Sequence, residues 1–475
     1  MTKPFFITTA IDYVNGEPHV GHAAEKVLTD TVARYHRDVL REDTFFLTGT
    51  DENSLKNVQG AEKAGRPIEE YVKENAEAFR SLGDSLGLSF DRFIRTTEPI
   101  HFDGAKKFWS AMDPKDLYKK SYHGLYCVGC EEFKMEKDLV DGKCPEHLKE
   151  PEIVEEENWF FRLSAYGDVL RQLIVSGTIS IVPEFRKNEV LSFIDMGLED
   201  FSVSRSVARA KGWGVPVPGD ESQIMYVWVD ALANYITALD YAGAGDEYGK
   251  FWASDGERVH VIGKGILRFH AIYWPAMLLS ANVQVPTKIY AHEYLTIDGQ
   301  KMSKSLGNVI YPGELVERFG KDGARYLLLS SIPYSKDGDL SWAKMTEKYN
   351  ADLANGLGNL VSRVMRMSEG LDTRKTVELP AFPDDVAKLL ENYRFTEALE
   401  KIWETVRDAN RYIEEEKPWE LSKNDREKFA GVMSVLLDRL AFLSVALVPF
   451  LPDTAEKIRT SLESGTTEIL FQRVK

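Results

Sequence analysis

The sequence predicts an α/β protein: a parallel-sheet domain, interrupted by a cysteine-bearing insertion and followed by an α-helical bundle. Three observations predict it. Strand and helix signals alternate through the first hundred or so residues and again after residue 223. All three cysteines fall in one short stretch between those halves, and beyond Tyr334 the apolar pattern is helical almost throughout. At 475 residues the chain is too long for one compact domain, and 43% apolar residues supply substantial cores.

In the first half, residues 4–11 read as a strand, broken by Gly16 and Pro18. Residues 20–40 read as a helix with Val20, Val27, Leu28, Val32 and Tyr35 on one side. Thr44–Leu47 is a second strand ending in Gly49-Thr50-Asp51, and Pro67 opens a helix that runs to about Gly87. Strand, helix, strand, helix in this order is the pattern of a parallel sheet with helical crossovers. Near Leu117 the texture changes. Residues 117–150 are rich in Lys, Glu and Gly and hold every cysteine, which marks an insertion, and the mixed stretch 153–213 goes with it. Ile224–Val229 and Val259–Ile262 read as internal strands, the second followed from Gly263 by a helix to about Ser280. Asp51, Asp230 and Gly263 fall at strand ends, where open sheets bind ligands and where Asp and Gly also simply mark turns. Helices at about 344–370, 383–392, 396–415 and 424–448 make the bundle, punctuated by Pro380, Pro383, Pro418 and Pro452. The expected units are 1–116 and 223–288 for the two halves of the sheet domain, 117–222 for the insertion, 289–343 for a connecting unit and 344–475 for the bundle.

A formal net charge of −16 opposes indiscriminate nucleic-acid binding and leaves room for a local basic path. The N-terminal apolar run meets Asp12 and Asn15 at once, unlike a signal peptide. The longest apolar stretch, Leu437 to Leu451, carries Arg439 and ends at Pro452, the mark of a buried helix rather than a membrane span. Three cysteines make a poor disulfide framework, so a reducing cytoplasm is the expected compartment.

Cys127-Val-Gly-Cys130 is followed after thirteen residues by Cys144-Pro-Glu-His147. Two such pairs aim three thiolates and an imidazole at one point, a tetrahedral set that holds one structural Zn²⁺ and leaves no open position. The competing reading is three unrelated buried thiols and a surface histidine. His19-Val-Gly-His22 stands where a strand gives way to a helix, and backbone N–H groups and the dipole there favour a phosphate. Two partly buried, hydrogen-bonded histidines fit the same spacing. Lys301 and Lys304, in Lys-Met-Ser-Lys-Ser after the turn Asp298-Gly299, offer point charges to a leaving pyrophosphate or form a solvated basic turn.

HVGH at 19–22 and KMSKS at 301–305, in that order, resemble the paired signatures of the class I aminoacyl-tRNA synthetases. ITTAIDYVNGEPHVGH, FFLTGTDE (45–52), YVWVDA (226–231), VIGKGILRFHAIYWPAM (261–277), LGNLVSRV (357–364) and NRYIEEEKPW (410–419) are similar to blocks of the methionyl branch. The resemblance implies a Rossmann-like catalytic domain split by a zinc-knuckle insertion, a connecting unit with the KMSKS loop, and a C-terminal α-helical anticodon-binding bundle. It implies a methionine–tRNA ligase that uses ATP with Mg²⁺ to make methionyl-adenylate from L-methionine. The methionyl group then passes to the 3′-terminal adenosine of tRNA(Met), whose CAU anticodon the bundle reads. His19, His22, Lys301 and Lys304 correspond to the ATP and transition-state contacts. Tyr13, Trp228, Ala231, Tyr235, Ile266 and His270 correspond to the methionine side-chain pocket, and the Ile11 backbone and Asp51 to the ammonium anchor. Asn359, Arg363 and Trp419 correspond to the anticodon readers, and Cys127, Cys130, Cys144 and His147 to the zinc ligands. A monomer with no membrane association is expected. Three places depart from the family pattern: Asp12, Asn53-Ser54 in place of His-Gly, and Gly265 in place of Asp.

Overall fold

A computed structural model describes residues 3–127, 132–145, 148–243, 245–302, 307–371, 377–466 and 468–475. The chain forms two compact units. The first comprises Met1–Glu17, Thr44–Ser81 and Phe90–Ala291, the second Pro18–Asp43, Leu82–Ser89 and His292–Lys475.

The first unit is built on a sheet whose strands are β1 (Phe5–Thr9), β2 (Asp12–Tyr13), β3 (Thr44–Asp51), β4 (Arg92–Arg95), β5 (Ser180–Val182), β6 (Glu257–Gly263) and β7 (Lys288–His292). Its order is β2-β3-β1-β6-β7-β5, with β4 also on β3. β1 pairs in parallel with β3 and β6, β3 with β2 and β4, and β7 with β5. All five residues of β1 and all eight of β3 are buried, so Phe5–Ile7 and Phe45–Leu47 read as short apolar runs rather than alternating ones, each passing into buried threonines. β5 comes from within 117–222, a stretch that also supplies an antiparallel sheet of Leu117–Cys127, Glu132–Lys134, Glu152–Phe161 and Phe201–Ser202.

Ile224–Val229 is not an internal strand of the parallel sheet. Asp220–Met225 pairs antiparallel with Ser204–Ser206 and Pro216–Val217, and the chain turns at Tyr226 into the helix Val227–Thr237. A short apolar run carries the same pattern whether it is a buried strand or the buried start of a helix. Asp230 therefore lies in the first turn of that helix and not at a strand end. The helix expected from Pro67 to Gly87 is likewise two, Ile68–Arg80 and Leu82–Leu86.

In the second unit the helix Val20–Arg34 packs on Pro312–Leu329 and Leu82–Leu86. A small sheet pairs Leu295–Ile297 with Gln300–Lys301 and Gly338–Leu340. The bundle contains Trp342–Lys348 running on through the π-helical stretch Tyr349–Gly358 into Asn359–Met367, then Asp384–Glu391, Phe395–Glu416 and Arg426–Ala446. Two further helices, Pro418–Asn424 and Pro452–Ser464, start on prolines that the sequence presents as breaks; proline is as suited to the first helical turn as it is to ending one. Arg426–Ala446 is long and apolar enough to cross a membrane, yet 56% of that stretch is buried against its neighbours in the bundle.

A buried ion pair ties this unit together. Arg325 and Asp30 are both 0% exposed, with Arg325 Nη1 2.7 Å from Asp30 Oδ2. The same guanidinium donates to the carbonyls of Phe450 (2.8 Å), Leu86 and Pro449 (both 3.2 Å). Burial alone would raise the Asp30 carboxyl, but Arg325, Arg34 and the Ser89 hydroxyl outweigh it and hold it below the usual range.

Candidate active site

The residues expected to recognise the amino acid gather at the carboxyl ends of β1, β2, β3 and β6. Tyr13 and Asp51 are register partners across β2 and β3. Asp51 is buried, and its Oδ1 accepts the Asn53 N–H at 3.2 Å. The helix Val227–Thr237 carries Trp228, Ala231 and Tyr235 at intervals of three and four, which put them on one face. Ile266 and His270, four apart, stand one turn from each other after β6. Trp228 lies flat on Phe269 (centroids 3.9 Å apart, planes 8° apart) and presents its edge to His270 at 6.5 Å. Ile11, Tyr13, Trp228 and Ile266 all pack, partly buried, on the same hydrophobic core.

His270 is held by two hydrogen bonds. Its Nδ1 is 2.9 Å from the Ile266 carbonyl, which only accepts, so Nδ1 carries the proton. Its Nε2, 2.7 Å from the Tyr235 hydroxyl, then accepts from it. Burial drives the imidazole down to about 4, against the opposing pull of the Ile266 carbonyl. Behind it, the Tyr235 ring lies 4.0 Å from His260, whose Nδ1 is 2.9 Å from the Thr8 hydroxyl on β1. Burial, with His270 and Arg258 nearby, pushes His260 well below the ordinary histidine range. The result is a buried cluster of aromatic rings and uncharged imidazoles.

In the second unit His19 and His22 cap the helix Val20–Arg34 with each other's help. His19 Nδ1 accepts the Gly21 N–H and His22 Nδ1 accepts the His19 N–H, both at 3.1 Å. The rings stack at 3.7 Å, 16° from coplanar. Both Nδ1 atoms accept, which in a neutral imidazole leaves the ring proton on Nε2. The histidines are partly buried and hydrogen-bonded, and they stand at a helix N-terminus. Lys301 is exposed at the end of Gln300–Lys301, whereas Lys304 lies outside the described residues.

In the bundle, Asn359 is exposed at the start of Asn359–Met367, with Arg363 one turn on. Arg363 is 2.7 Å from Glu414 and lies over the Trp419 ring at 5.7 Å, and Trp419 is 39% exposed. The three expected anticodon readers thus come from two helices, Asn359–Met367 and Pro418–Asn424, with Arg363 over the Trp419 ring.

Residues 5–150 and 146–365 match the family model for tRNA synthetases class I (M). Residues 368–472 match that for the anticodon binding domain of methionyl tRNA ligase. The chain belongs to the methionyl-tRNA synthetase family. It is 41% identical over 481 residues to the methionine–tRNA ligase of Thermotoga maritima, covering 97% of this chain and 75% of that one. It is 42% identical to that of Brucella suis, covering 96% and 91%. Among solved structures it superposes on Mycobacterium tuberculosis methionyl-tRNA synthetase in complex with methionyl-adenylate with a TM-score of 0.88, at 37% identity over 100% of this chain and 98% of that one. Against the free form of that enzyme the TM-score is 0.80, at 34% identity, covering 100% and 96%.

Against the family pattern, Asn53 has found a place of its own. Its side-chain N–H₂ donates to the Thr96 carbonyl at 3.0 Å and to Asp230 Oδ2 at 2.8 Å. Asp230 Oδ1 is 2.5 Å from His101 Nε2, and His101 Nδ1 is 2.8 Å from the Thr237 hydroxyl. This fully buried network joins the segment after Asp51 to the helix of Trp228 and Tyr235, and nothing in the spacing of its members announces it. Glu52 is equally occupied, receiving two bonds from Arg95 at 2.6 and 2.9 Å.

Of the expected zinc ligands, Cys127 ends the strand Leu117–Cys127 and Cys144 follows a tight turn in which Gly142 takes a φ of +74°. Both are buried. Cys130 and His147 lie outside the described residues, and among the described residues no group of three or more ligand side chains assembles.

Proposed function

We propose that the chain is a methionine–tRNA ligase that converts L-methionine and ATP to methionyl-adenylate and passes the methionyl group to tRNA(Met). The observation that carries this reading is the uncharged, hydrogen-bonded His270–Tyr235 pair, held by the Ile266 carbonyl with Trp228 edge-on to it, in the core on which Tyr13, the register partner of Asp51, also packs. A thioether is flexible, polarizable and nearly apolar and suits aromatic walls, while Asp51 supplies a charge-assisted partner for the ammonium group. In this reading the methionine carboxylate attacks the α-phosphorus and pyrophosphate leaves. The Nε2–H donors of His19 and His22, the helix N-terminus behind them, and Lys301 and Lys304 meet the phosphate charge that develops. A hydroxyl of the 3′-terminal adenosine then attacks the acyl carbonyl and AMP departs. Placement and charge stabilisation do this work, with no protein nucleophile. Mg²⁺ carried with ATP would supply charge neutralisation at its phosphates.

The finer assignments follow the same reading. The expected boundaries give a catalytic domain of 1–116 and 223–288, an insertion of 117–222, a connecting unit of 289–343 and an anticodon-binding domain of 344–475. Asn359, Arg363 and Trp419 read the CAU anticodon, Trp419 by stacking and the other two through base edges. Cys127, Cys130, Cys144 and His147 hold one structural Zn²⁺, which organises the knuckle. The protein works as a cytoplasmic monomer. ATP–pyrophosphate exchange across the amino acids is the test. Methionine alone should support fast exchange, and exchange driven by another amino acid but not by methionine would overturn the assignment.

A further inference from the structure

Two contacts outside the signatures tie the segment that carries Lys301 to the helix that carries His19 and His22. Before the segment, His292 Nε2 is 2.9 Å from Glu25 Oε2, with both side chains about one-tenth exposed. After it, the Val20 N–H donates to the Ile310 carbonyl at 3.0 Å. Between them, Met302 reaches the helix so closely that a Cβ on Gly21 would stand 3.3 Å from its Cε. Glu25 is one turn beyond His22, on the helix that the two histidines cap.

The protonation of His292 follows from its partners. Its Nδ1 is 2.9 Å from the Glu293 carbonyl and its Nε2 faces the Glu25 carboxylate. Both are acceptors only, so the ring carries both protons and the pair is an imidazolium and a carboxylate. Burial alone would lower His292, but Glu25 and the Glu293 carbonyl outweigh it and hold it above the ordinary range. A buried ion pair is a weak source of net stability compared with apolar packing, while its hydrogen bonds fix direction. We propose that Glu25 and His292 are a positioning pair: they set the strands Leu295–Ile297 and Gln300–Lys301, and with them the Lys301 ammonium, against the helix that begins at His19. The pair touches no reacting atom, and its role rests on the adenylation chemistry proposed above.

The test uses the full chain in methionine-dependent ATP–pyrophosphate exchange, with limited trypsin cleavage after Lys301 as a second readout. Glu25→Ala is expected to lower kcat on the order of 10²-fold, the scale of a small misplacement of a catalytic group. The methionine KM should stay within about twofold, because the methionine-recognising residues are elsewhere. Cleavage after Lys301 should accelerate while the rest of the chain stays resistant. A folded Glu25→Ala protein with wild-type kcat, or one whose methionine KM rises in step with the loss of rate, overturns the proposal. If Glu25→Ala does not fold, Glu25→Gln carries the same test, since it keeps an acceptor oxygen and drops the charge. A kcat lowered about tenfold at unchanged methionine KM supports the pair, and an unchanged kcat overturns it. Wild-type protein without methionine-dependent exchange would fail the functional assignment itself. Normal wild-type exchange with unaffected variants fails the pair alone.

Discussion

The Tyr235 hydroxyl donates to Nε2 of His270 at 2.7 Å, while Nδ1 of the same ring donates to the Ile266 carbonyl at 2.9 Å. Both nitrogens are committed in the neutral ring, and protonation at Nε2 would set a proton against the hydroxyl proton. His270 therefore stays neutral down to about 4 in the folded protein, against 6.5 in the unfolded chain. Between those values the unfolded state binds the extra proton. The stability this group contributes is thus complete above 6.5 and is lost as pH falls to about 4. The loss amounts to about 3 kcal/mol for this one fully buried ring. His260 is shifted in the same direction and adds to the loss. Urea unfolding followed by tryptophan fluorescence at pH 7 and pH 4.5, roughly the ends of the titration window, should show a clear drop in midpoint. A midpoint that does not move over this range would show that these rings are not held neutral.

Tyr235→Phe isolates the bond itself. The ring and its packing remain, while Nε2 of His270 is left as a buried acceptor without its donor, at a cost of about 1–3 kcal/mol. The partner ring can then turn away from the geometry that shapes the pocket. The methionine KM in pyrophosphate exchange should rise about tenfold, with a smaller change in kcat. Loss of kcat at constant KM would place Tyr235 in the chemical step instead.

Some of this was legible in the sequence and some was not, for physical reasons. β1 and β3 are visible because Phe5–Ile7 and Phe45–Leu47 are short apolar runs of the kind that strands buried on both faces carry. The helix at Val20 is visible by its period and by His19 and His22, whose spacing matches a capping box as well as a phosphate site. Ile224–Val229 misleads because the apolar run crosses from a strand into a helix at Tyr226. β5 has only three residues and lies amid helices, too short for any pattern to register. The polar pairs are the least visible. Thr8 and His260 are 252 residues apart and Asp30 and Arg325 are 295 apart, so only the folded chain shows that each buried polar group has a partner.

Arg325 is the residue whose loss should cost the second unit most. Arg325→Met fills a similar volume but leaves Asp30 as a buried carboxylate with fewer donors, together with carbonyls at Phe450, Pro449 and Leu86 that lose theirs. Breaking one side of such a pair costs about 3–5 kcal/mol. Adding Asp30→Leu removes the stranded charge, so the double variant should recover part of that loss. Urea midpoints of the wild type, the two single variants and the double variant check this. Strictly additive losses would mean that Asp30 and Arg325 do not depend on each other.

The zinc assignment has a prediction that needs no activity measurement. Cys144→Ser replaces a thiolate with a poor ligand in a fully buried position. Metal analysis of wild-type protein purified without chelator should give about one zinc per chain, as four ligands and no open position require. The variant should lose most of that metal, and protease should then cut between residues 127 and 150 first. Wild-type protein free of zinc, or a Cys144→Ser protein that keeps it, sinks the assignment.

Trp419→Ala tests recognition of tRNA apart from activation of the amino acid. It is 39% exposed, with Arg363 over its face and Glu414 holding Arg363 at 2.7 Å. An indole presented in this way offers its exposed surface to an unstacked base, at about 1–3 kcal/mol for base–aromatic stacking. Trp419→Ala should therefore lower kcat/KM for aminoacylation by roughly tenfold to a hundredfold, mostly through the KM for tRNA. Methionine-dependent pyrophosphate exchange needs no anticodon and should keep its wild-type rate. Arg363→Ala should behave alike, since the guanidinium lies against the same ring. Removing Glu414 should do less, because it holds the arginine without facing a base. If exchange and charging fall by the same factor in Trp419→Ala, the indole supports the fold of the bundle, and the base-stacking role is wrong.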